Sequence, residues 1–497
     1  MNRRRVAAAL LLLLPLMIYA NTIFARFGFR DDYSILRETN EEPGKVLMLC
    51  SSHARPLYGW MLENFFGNIE VVDDLWAGRA LGALFLGGYG LLLYLGLLRL
   101  GWPAPSSALL GALMTMLPAA QVNVSWAICW PHLMAGLFGI SGFLVADRGG
   151  VPARLGGGAL VAVGALFYQP DALLYVVLVA AGLLTHRAES VGWRMRWITK
   201  HLLTVGLALA ADFLLMQVLY AVGLFYASSL TTLETDLLAK LEFFLSEPLP
   251  NALALLVLND MRDGTSTAHT IVAASVTSII LLGGWGEIRR AGWQEGAFWA
   301  ASLTSLCFAA WAVSLVASLR WPTYRTLFPL MGVILVFLVL GLQHIGGLLR
   351  IRGHWLVPVT LAGMVTVAAP LASWNAFTLF ALPQEQELAL VEEGVQRLRP
   401  KRRFRVFVIR PTPEDAPAPG FYGDEFGSLS SDSDWTPGEM FNLALRKRYP
   451  SLRGLYGRVK MECGYRMPLS RRFDLVIDMR RLREHRRALV THGFLLF

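Results

Sequence analysis

The stretch VAAALLLLLPLMIYANTIFARFGFRDDYSIL, residues 6–36, decides the fold class. Its first part, Val6 to Phe24, is apolar and close to the roughly 20 residues that a helix needs to cross a bilayer. MNRRR precedes it, and two adjacent carboxylates, Asp31 and Asp32, follow it. A secretory signal peptide opens in a similar way. Here the run is long for such a segment and MIYANT is a poor small-residue cleavage site, so the expectation is an uncleaved first span.

The rest of the chain repeats the pattern. Of its 497 residues 55% are hydrophobic and only 16% charged, with a mean hydropathy of +0.47. A soluble globular chain carries about 25% charged residues. Apolar runs predict eleven spans, near 6–24, 76–98, 105–121, 130–146, 155–168, 171–185, 201–222, 268–285, 297–319, 327–345 and 355–373. The net charge of +9 does not indicate a nucleic-acid partner. Many of the basic residues sit in short loops, in MNRRR, DRGGVPARL, THRAESVGWRMRWITKH, GEIRRAGW and LLRIRGHW, where they orient helices. These loops fall on one side, assigned to the cytoplasm together with the N-terminus. The opposite side receives the outer loops 25–75 and 223–267, the short LRWPTYRT loop and everything after about 374. Cys50, Cys129, Cys307 and Cys463 form no CxxC pair and give no metal signature; a Cys50–Cys463 disulfide is one arrangement open to them.

Two outer segments read as helices. RPLYGWMLENFF starts with Pro56 near a first helical position. LETDLLAKLEFFLSEP places Leu233, Leu237, Leu238, Leu241, Phe244 and Leu245 on one stripe, with Glu234, Asp236, Lys240 and Glu242 opposite. That spacing suits a helix on the membrane surface or one packed on the spans. Beyond about residue 374 the character changes. ELALVEEGVQRLR reads as an amphipathic helix, FRVFVIRP and FDLVIDMRR as strands, and APAPGFYGDEFGSLSSDSDWTPG as a loop. The expected fold is therefore an all-α polytopic membrane protein, residues 1–375, with a small C-terminal α/β soluble domain, residues 376–497. No Gly-rich phosphate loop opens that domain.

The residues suited to chemistry gather on the outer side. Asp31 and Asp32 repel one another, and such a pair can keep one member as an ionised base while the other orients a hydroxyl. An acid-tolerant outer loop accounts for them equally. His53 and Arg55 follow in SSHARPLYGW; an arginine fork matches phosphate oxygens, and pairing with loop acids is the alternative. In FYQPDALLY, Pro170 interrupts a helix and leaves Tyr168, Gln169 and Asp171 at its broken end, as a cavity wall or a tight turn. LRWPTYRTLFPL places Arg320, Tyr324 and Arg325 where topology needs no positive charge; lipid phosphate and headgroup snorkelling are the two explanations. Asp212 lies inside a span, as proton-coupled transporters require or as a protonated core acid.

FRDDYS, ARPLYG, FYQPD and YRTLFPL together resemble the GT-C superfamily of polytopic glycosyltransferases, over roughly residues 1–375. Within it the chain is similar to the Gtr-type glucosyltransferases that decorate O-antigen in bacterial envelopes. The resemblance implies a bacterial inner-membrane enzyme, and the odd number of expected spans then places the C-terminal domain in the periplasm. Its donor would be a sugar on polyprenyl phosphate and its acceptor an envelope glycan such as O-antigen of lipopolysaccharide. It implies that Asp31 or Asp32 activates the acceptor hydroxyl, that the anomeric centre inverts, and that no cofactor is obligatory, divalent metal staying open. His53, Arg55, Tyr168, Gln169, Arg320, Tyr324 and Arg325 are the expected substrate-binding residues. A lipid-linked oligosaccharide polymerase or ligase would share the arginines without requiring the acidic pair. A flippase would require Asp212 instead.

Overall fold

The computed structural model describes residues 3–262, 266–321, 323–348, 353–398, 403–423, 425–450, 459–468 and 472–484. Among these, seven helices are long and apolar enough to cross a membrane: Val72–Arg99, Ala127–Ala146, Gly150–Ala172, Val191–Ala221, Thr267–Ala291, Tyr324–Gly347 and Trp355–Arg397. Ala104–Met114 and Pro118–Ser125, bent by 54° at the break between them, make an eighth if they are one span. The eleven spans expected from hydropathy are reduced because several apolar runs are short, interrupted or too polar. The first run breaks at Tyr19, between Arg3–Ile18 and Ala20–Phe24. Tyr175–Thr185 has only 11 residues, and Trp293–Ala310 begins with Gln294 and Glu295 in its first turn. The basic loop residues Arg350 and Arg352 lie outside the described residues.

Small residues allow the helices to approach closely. A Cβ on Gly87 would lie 2.3 Å from the Leu12 carbonyl, so the first helix rests directly on Val72–Arg99 at this glycine. Polar contacts are divided between the two ends of the bundle. One end joins Arg187, Glu287 and His344, and pairs Arg194 with Glu295 at 2.5 Å. The other end gathers the first outer loop, the segments around 228–234 and 316–325, and the C-terminal region. There Ser228 N–H donates to the Ser52 carbonyl (3.0 Å) and Glu234 N–H to that of Val316 (2.8 Å).

Trp355–Arg397 continues without interruption through a π-helical stretch, Asn375–Ala381, into the C-terminal region, so residues 375 and 376 lie inside one helical run. Beyond it, β1 (Phe404–Ile409) is flanked by β2 (Val459–Gly464) and β3 (Leu475–Asp478) in a parallel sheet of order β2-β1-β3. Phe404 pairs with Val459, and Val406 with Leu475. Parallel neighbours need a crossover, and the helix Thr436–Arg448 lies between β1 and β2 in the chain. The two strands expected from the sequence are β1 and β3. β2 and the helix Thr436–Arg448 escaped that reading. All four cysteines are free, with Cys50 buried in a helix of the first outer loop and Cys463 on β2, so the Cys50–Cys463 disulfide does not form.

The helix Leu237–Ser246 turns Leu237 and Leu238 outward, 70% and 81% exposed, and buries Phe244 against Phe308 and Trp311. Lys240, assigned to its polar face, is instead buried. Its ammonium donates to the carbonyls of Ala317 and Leu319, both at 2.7 Å. A lysine stem crosses apolar surface readily, and two chain carbonyls satisfy its head.

Candidate active site

The first outer loop is built on Arg79, a buried arginine of the span Val72–Arg99. Its guanidinium donates to the carbonyls of Ile23 (3.2 Å), Ala25 (2.6 Å) and Phe27 (3.0 Å), collecting the chain as it leaves the first helix. Asp32 closes the same turn. It is fully buried and accepts from the N–H of Phe29 at 2.8 Å and of Ile128 at 3.1 Å. Burial pushes its carboxyl up to about 7, against the pull of those N–H groups and of Arg79. Asp31, in the first turn of the helix Asp31–Glu41, is half-buried, and its charge acts on Tyr58 and Cys50. The two acids therefore point differently. Asp32 ties the loop to the bundle, and Asp31 faces the next helical hairpin.

That hairpin pairs Lys45–Ser52 with Pro56–Phe66, the latter opened by a proline as expected. Between them Ala54 adopts φ +60°, a left-handed conformation that costs a non-glycine residue about 1–3 kcal/mol. Gln169 Nε2 holds the Ala54 carbonyl at 2.6 Å, and Arg55 Nε donates to Gln169 Oε1 at 3.3 Å. Among the described residues the non-glycine positive-φ positions are Arg30, Ala54 and Leu255, so two of the three immediately precede Asp31 and Arg55. Strain of this kind persists only where the surroundings enforce it.

The helix Gly150–Ala172 is broken at Tyr168 (φ −161°, ψ +106°), two residues before Pro170. The break turns the Tyr168 ring across Arg55, whose guanidinium carbon lies 4.7 Å from the ring centroid. From the other side come Arg325, 4.6 Å over Trp126 and 5.7 Å over Trp321. His53, Arg55, Tyr168, Pro170, Thr323, Arg325 and Thr326 line one cavity of about 150 Å³, with apolar walls that include Leu230, Trp311, Val313 and Leu319. Burial pushes the His53 imidazole down to about 4, and Arg55 adds to the effect, so a neutral imidazole faces the cavity at neutral pH.

The structure thus brings His53, Arg55, Tyr168 and Arg325 together, with Gln169 behind Arg55. The remaining expected residues sit elsewhere. Arg320 pairs with Glu234 (3.1 Å) at the surface. Tyr324 is fully buried; its hydroxyl accepts from Asn259 N–H (3.2 Å) and its ring packs on Tyr422. Asp212 is buried beside Gln169, so it belongs to the underside of this cluster and is not isolated in the bilayer. His132 was missed by the sequence reading. It stacks on Tyr168 at 3.7 Å and lies 5.0 Å from Tyr58, linking the side of Asp31 to the cavity floor. Both its ring nitrogens lack a hydrogen-bond partner, as does Asp171 Oδ1, whose other oxygen accepts from Asn123 at 3.2 Å. The signal was WPH, a histidine in the first turn of an apolar span. Glu425 was also missed; it is buried against Thr323, Tyr324 and Arg325. Among the described residues no three His, Cys, Asp or Glu side chains gather as a metal site.

No family model matches this chain, and neither does any curated protein. Among solved structures it is similar to an oligosaccharyltransferase of Archaeoglobus fulgidus in complex with Zn and sulfate, at 12% identity over 94% of this chain with a TM-score of 0.43. It spans 62% of that protein's length. It is also similar to ArnT from Cupriavidus metallidurans bound to undecaprenyl phosphate, at 12% identity over 88% of this chain and 84% of that one, with a TM-score of 0.39.

Proposed function

We propose that this protein is a membrane glycosyltransferase that takes a sugar from a polyprenyl-phosphate donor and passes it to an envelope glycan, O-antigen or a similar polymer, at the periplasmic face of a bacterial inner membrane. The observation that carries this reading is the meeting of Arg55 and Arg325, from segments 270 residues apart, around one cavity with apolar walls. Two guanidinium forks suit a phosphate, and apolar walls suit the prenyl chain behind it. The motifs FRDDYS, ARPLYG, FYQPD and YRTLFPL support the same class.

Asp31 acts as the base. It takes the proton of the acceptor hydroxyl, whose oxygen attacks the anomeric carbon as the bond to the lipid phosphate breaks. The phosphate leaves with its negative charge held by Arg55 and Arg325, and attack from the face opposite inverts the centre. Asp32, with both oxygens engaged by backbone N–H groups, shapes the loop that carries Asp31.

The test is transfer of label from a radiolabelled polyprenyl-phosphate sugar to envelope glycans in membranes, with variants at matched expression. Asp31→Asn lowers transfer by about 10²–10⁴-fold, the usual contribution of a general base. Arg55→Ala and Arg325→Ala each cost about 10–100-fold, chiefly in donor affinity. Asp212→Asn keeps most of the activity. Full transfer by Asp31→Asn together with loss in Asp212→Asn would instead support a transporter.

A further inference from the structure

The C-terminal region contributes one carboxylate to the neighbourhood of the cavity. Glu425 is fully buried. Its oxygens accept from the Thr323 hydroxyl (2.5 Å) and from the N–H groups of Tyr324 (2.8 Å) and Arg325 (3.3 Å). The Arg325 guanidinium is also near, with Nε 4.0 Å away. These N–H groups open the helical run Tyr324–Gly347, where the first turn leaves donors unsatisfied and a negative charge is favoured. A carboxylate removed from water is costly without such partners. Glu425 has both a helix start and a guanidinium.

Tyr422 and Phe426, on either side of it, are both buried. Tyr422 and Phe426 pack on the Tyr324 ring at 4.4 and 5.8 Å. The turn depends on Gly427 at φ +75°, where a Cβ would lie 2.1 Å from the Gly420 carbonyl. Further along, Ser430 Oγ accepts from the N–H of Arg30 (2.9 Å), the residue before Asp31, and Gln384 holds Ser430 at 2.6 Å. One segment of the C-terminal region therefore braces the approach to Asp31 and the backbone of Arg325.

We infer that Glu425 is a positioning residue: by binding the Thr323 hydroxyl and the backbone N–H groups of Tyr324 and Arg325, and by facing the Arg325 guanidinium, it sets the orientation in which Arg325 meets an anionic lipid phosphate in the cavity. The inference rests on the reading of the cavity proposed above and assigns the C-terminal region a part in donor binding. Tyr324, on the same turn, is the buried anchor, and Arg325 the side chain that the turn presents.

The experiment is a titration of undecaprenyl phosphate into the full-length protein in nanodiscs. Wild type is compared with Glu425→Gln, Glu425→Asp, Arg325→Ala and the Glu425→Gln/Arg325→Ala double variant, with melting curves alongside. Glu425→Gln keeps an acceptor for the backbone but loses the charge; it weakens binding about tenfold, and Glu425→Asp less. The double variant binds no more weakly than Arg325→Ala alone, because Glu425 acts through Arg325. Unchanged binding by Glu425→Gln, or losses that multiply in the double variant, overturns the inference. Should Glu425→Gln fail to fold, the same cycle run with Glu425→Asp decides it. Wild type that does not bind the lipid phosphate defeats the functional reading and this inference with it. Binding lost with Arg325→Ala but kept in Glu425→Gln defeats this inference alone.

Discussion

Asp32 has a consequence for stability that its neighbour lacks. Its carboxyl titrates near 7 in the folded protein against an ordinary value of 3.8, because burial disfavours the charge. Between those values the folded state holds a proton that the unfolded chain has released, so stability falls as pH rises. The contribution is fully present below about 4 and is lost as pH passes about 7, with a size on the order of 4 kcal/mol. We therefore expect the melting temperature of the purified protein to fall between pH 5 and pH 8, and Asp32→Asn to flatten that slope. A slope of equal steepness in the variant would assign the dependence to other groups. The double acid was legible in the sequence as a pair, but its division of labour was not. Which acid is buried depends on Phe29 and on Ile128, 96 positions away, and no local pattern announces that partner. Arg320 and Arg325 stood out in the sequence because positive charge in an outer loop has no topological use, and Arg55 because its fork suits a phosphate. Arg320 is held in a surface ion pair with Glu234, and its neighbour Tyr324 in a buried aromatic contact.

At the scale of elements, the helical hairpin before and after Arg55 controls where its guanidinium lies. Glu63 closes the hairpin by accepting from Gly44 N–H (2.5 Å) and Leu47 N–H (3.2 Å), at the start of the opposite helix. Gly59 makes the close approach possible. A Cβ there would lie 2.7 Å from Cys50 Cβ and 3.0 Å from Leu47 Cα. Those atoms belong to a helix backbone or its first side-chain carbon and have no flexible end to move. Gly59→Ala should therefore spread the hairpin at a cost of about 1–3 kcal/mol. It should also weaken undecaprenyl phosphate binding, because the Ala54–Arg55 turn joins the two helices. A lower melting temperature with unchanged lipid affinity would separate the hairpin from the site. Pro56 and Pro170 made the hairpin start and the broken helix legible, since proline acts on its own backbone. The fate of Lys240 was not legible. Helical spacing put it with Glu234, Asp236 and Glu242, but two carbonyls supplied by another segment outweighed the pattern.

At the scale of the molecule, the C-terminal region is fastened to the first outer loop by charge. Arg37, with its side chain 6% exposed, donates to both carboxylate oxygens of Glu439 (2.5 and 3.1 Å) and to Glu42 (2.6 Å). Arg26 joins Asp73 to Glu392, Lys447 also reaches Asp73, and Arg446 pairs with Glu41 at 2.5 Å. Nothing in the sequence spacing of these arginines and lysines names their acidic partners, which lie as many as 405 positions away. Ala416, Ala418, Tyr422 and residues 425–431 are buried in a stretch that reads by composition only as a loop, because Gly, Pro, Ser and Asp mark turns without marking what covers them. Arg37 is the innermost of these contacts, and its loss leaves Glu439 half-enclosed without a cation while burial already raises that carboxyl above its usual range. Arg37→Met should cost about 3–5 kcal/mol, and adding Glu439→Met should recover much of it, since removing both charges relieves the unpaired one. Melting curves of the two variants give that difference. If Arg37→Met also weakens lipid phosphate binding and the double variant restores it, the docked C-terminal region is required at the cavity as an intact body. If stability returns without binding, Arg37 itself holds the loop that positions Asp31.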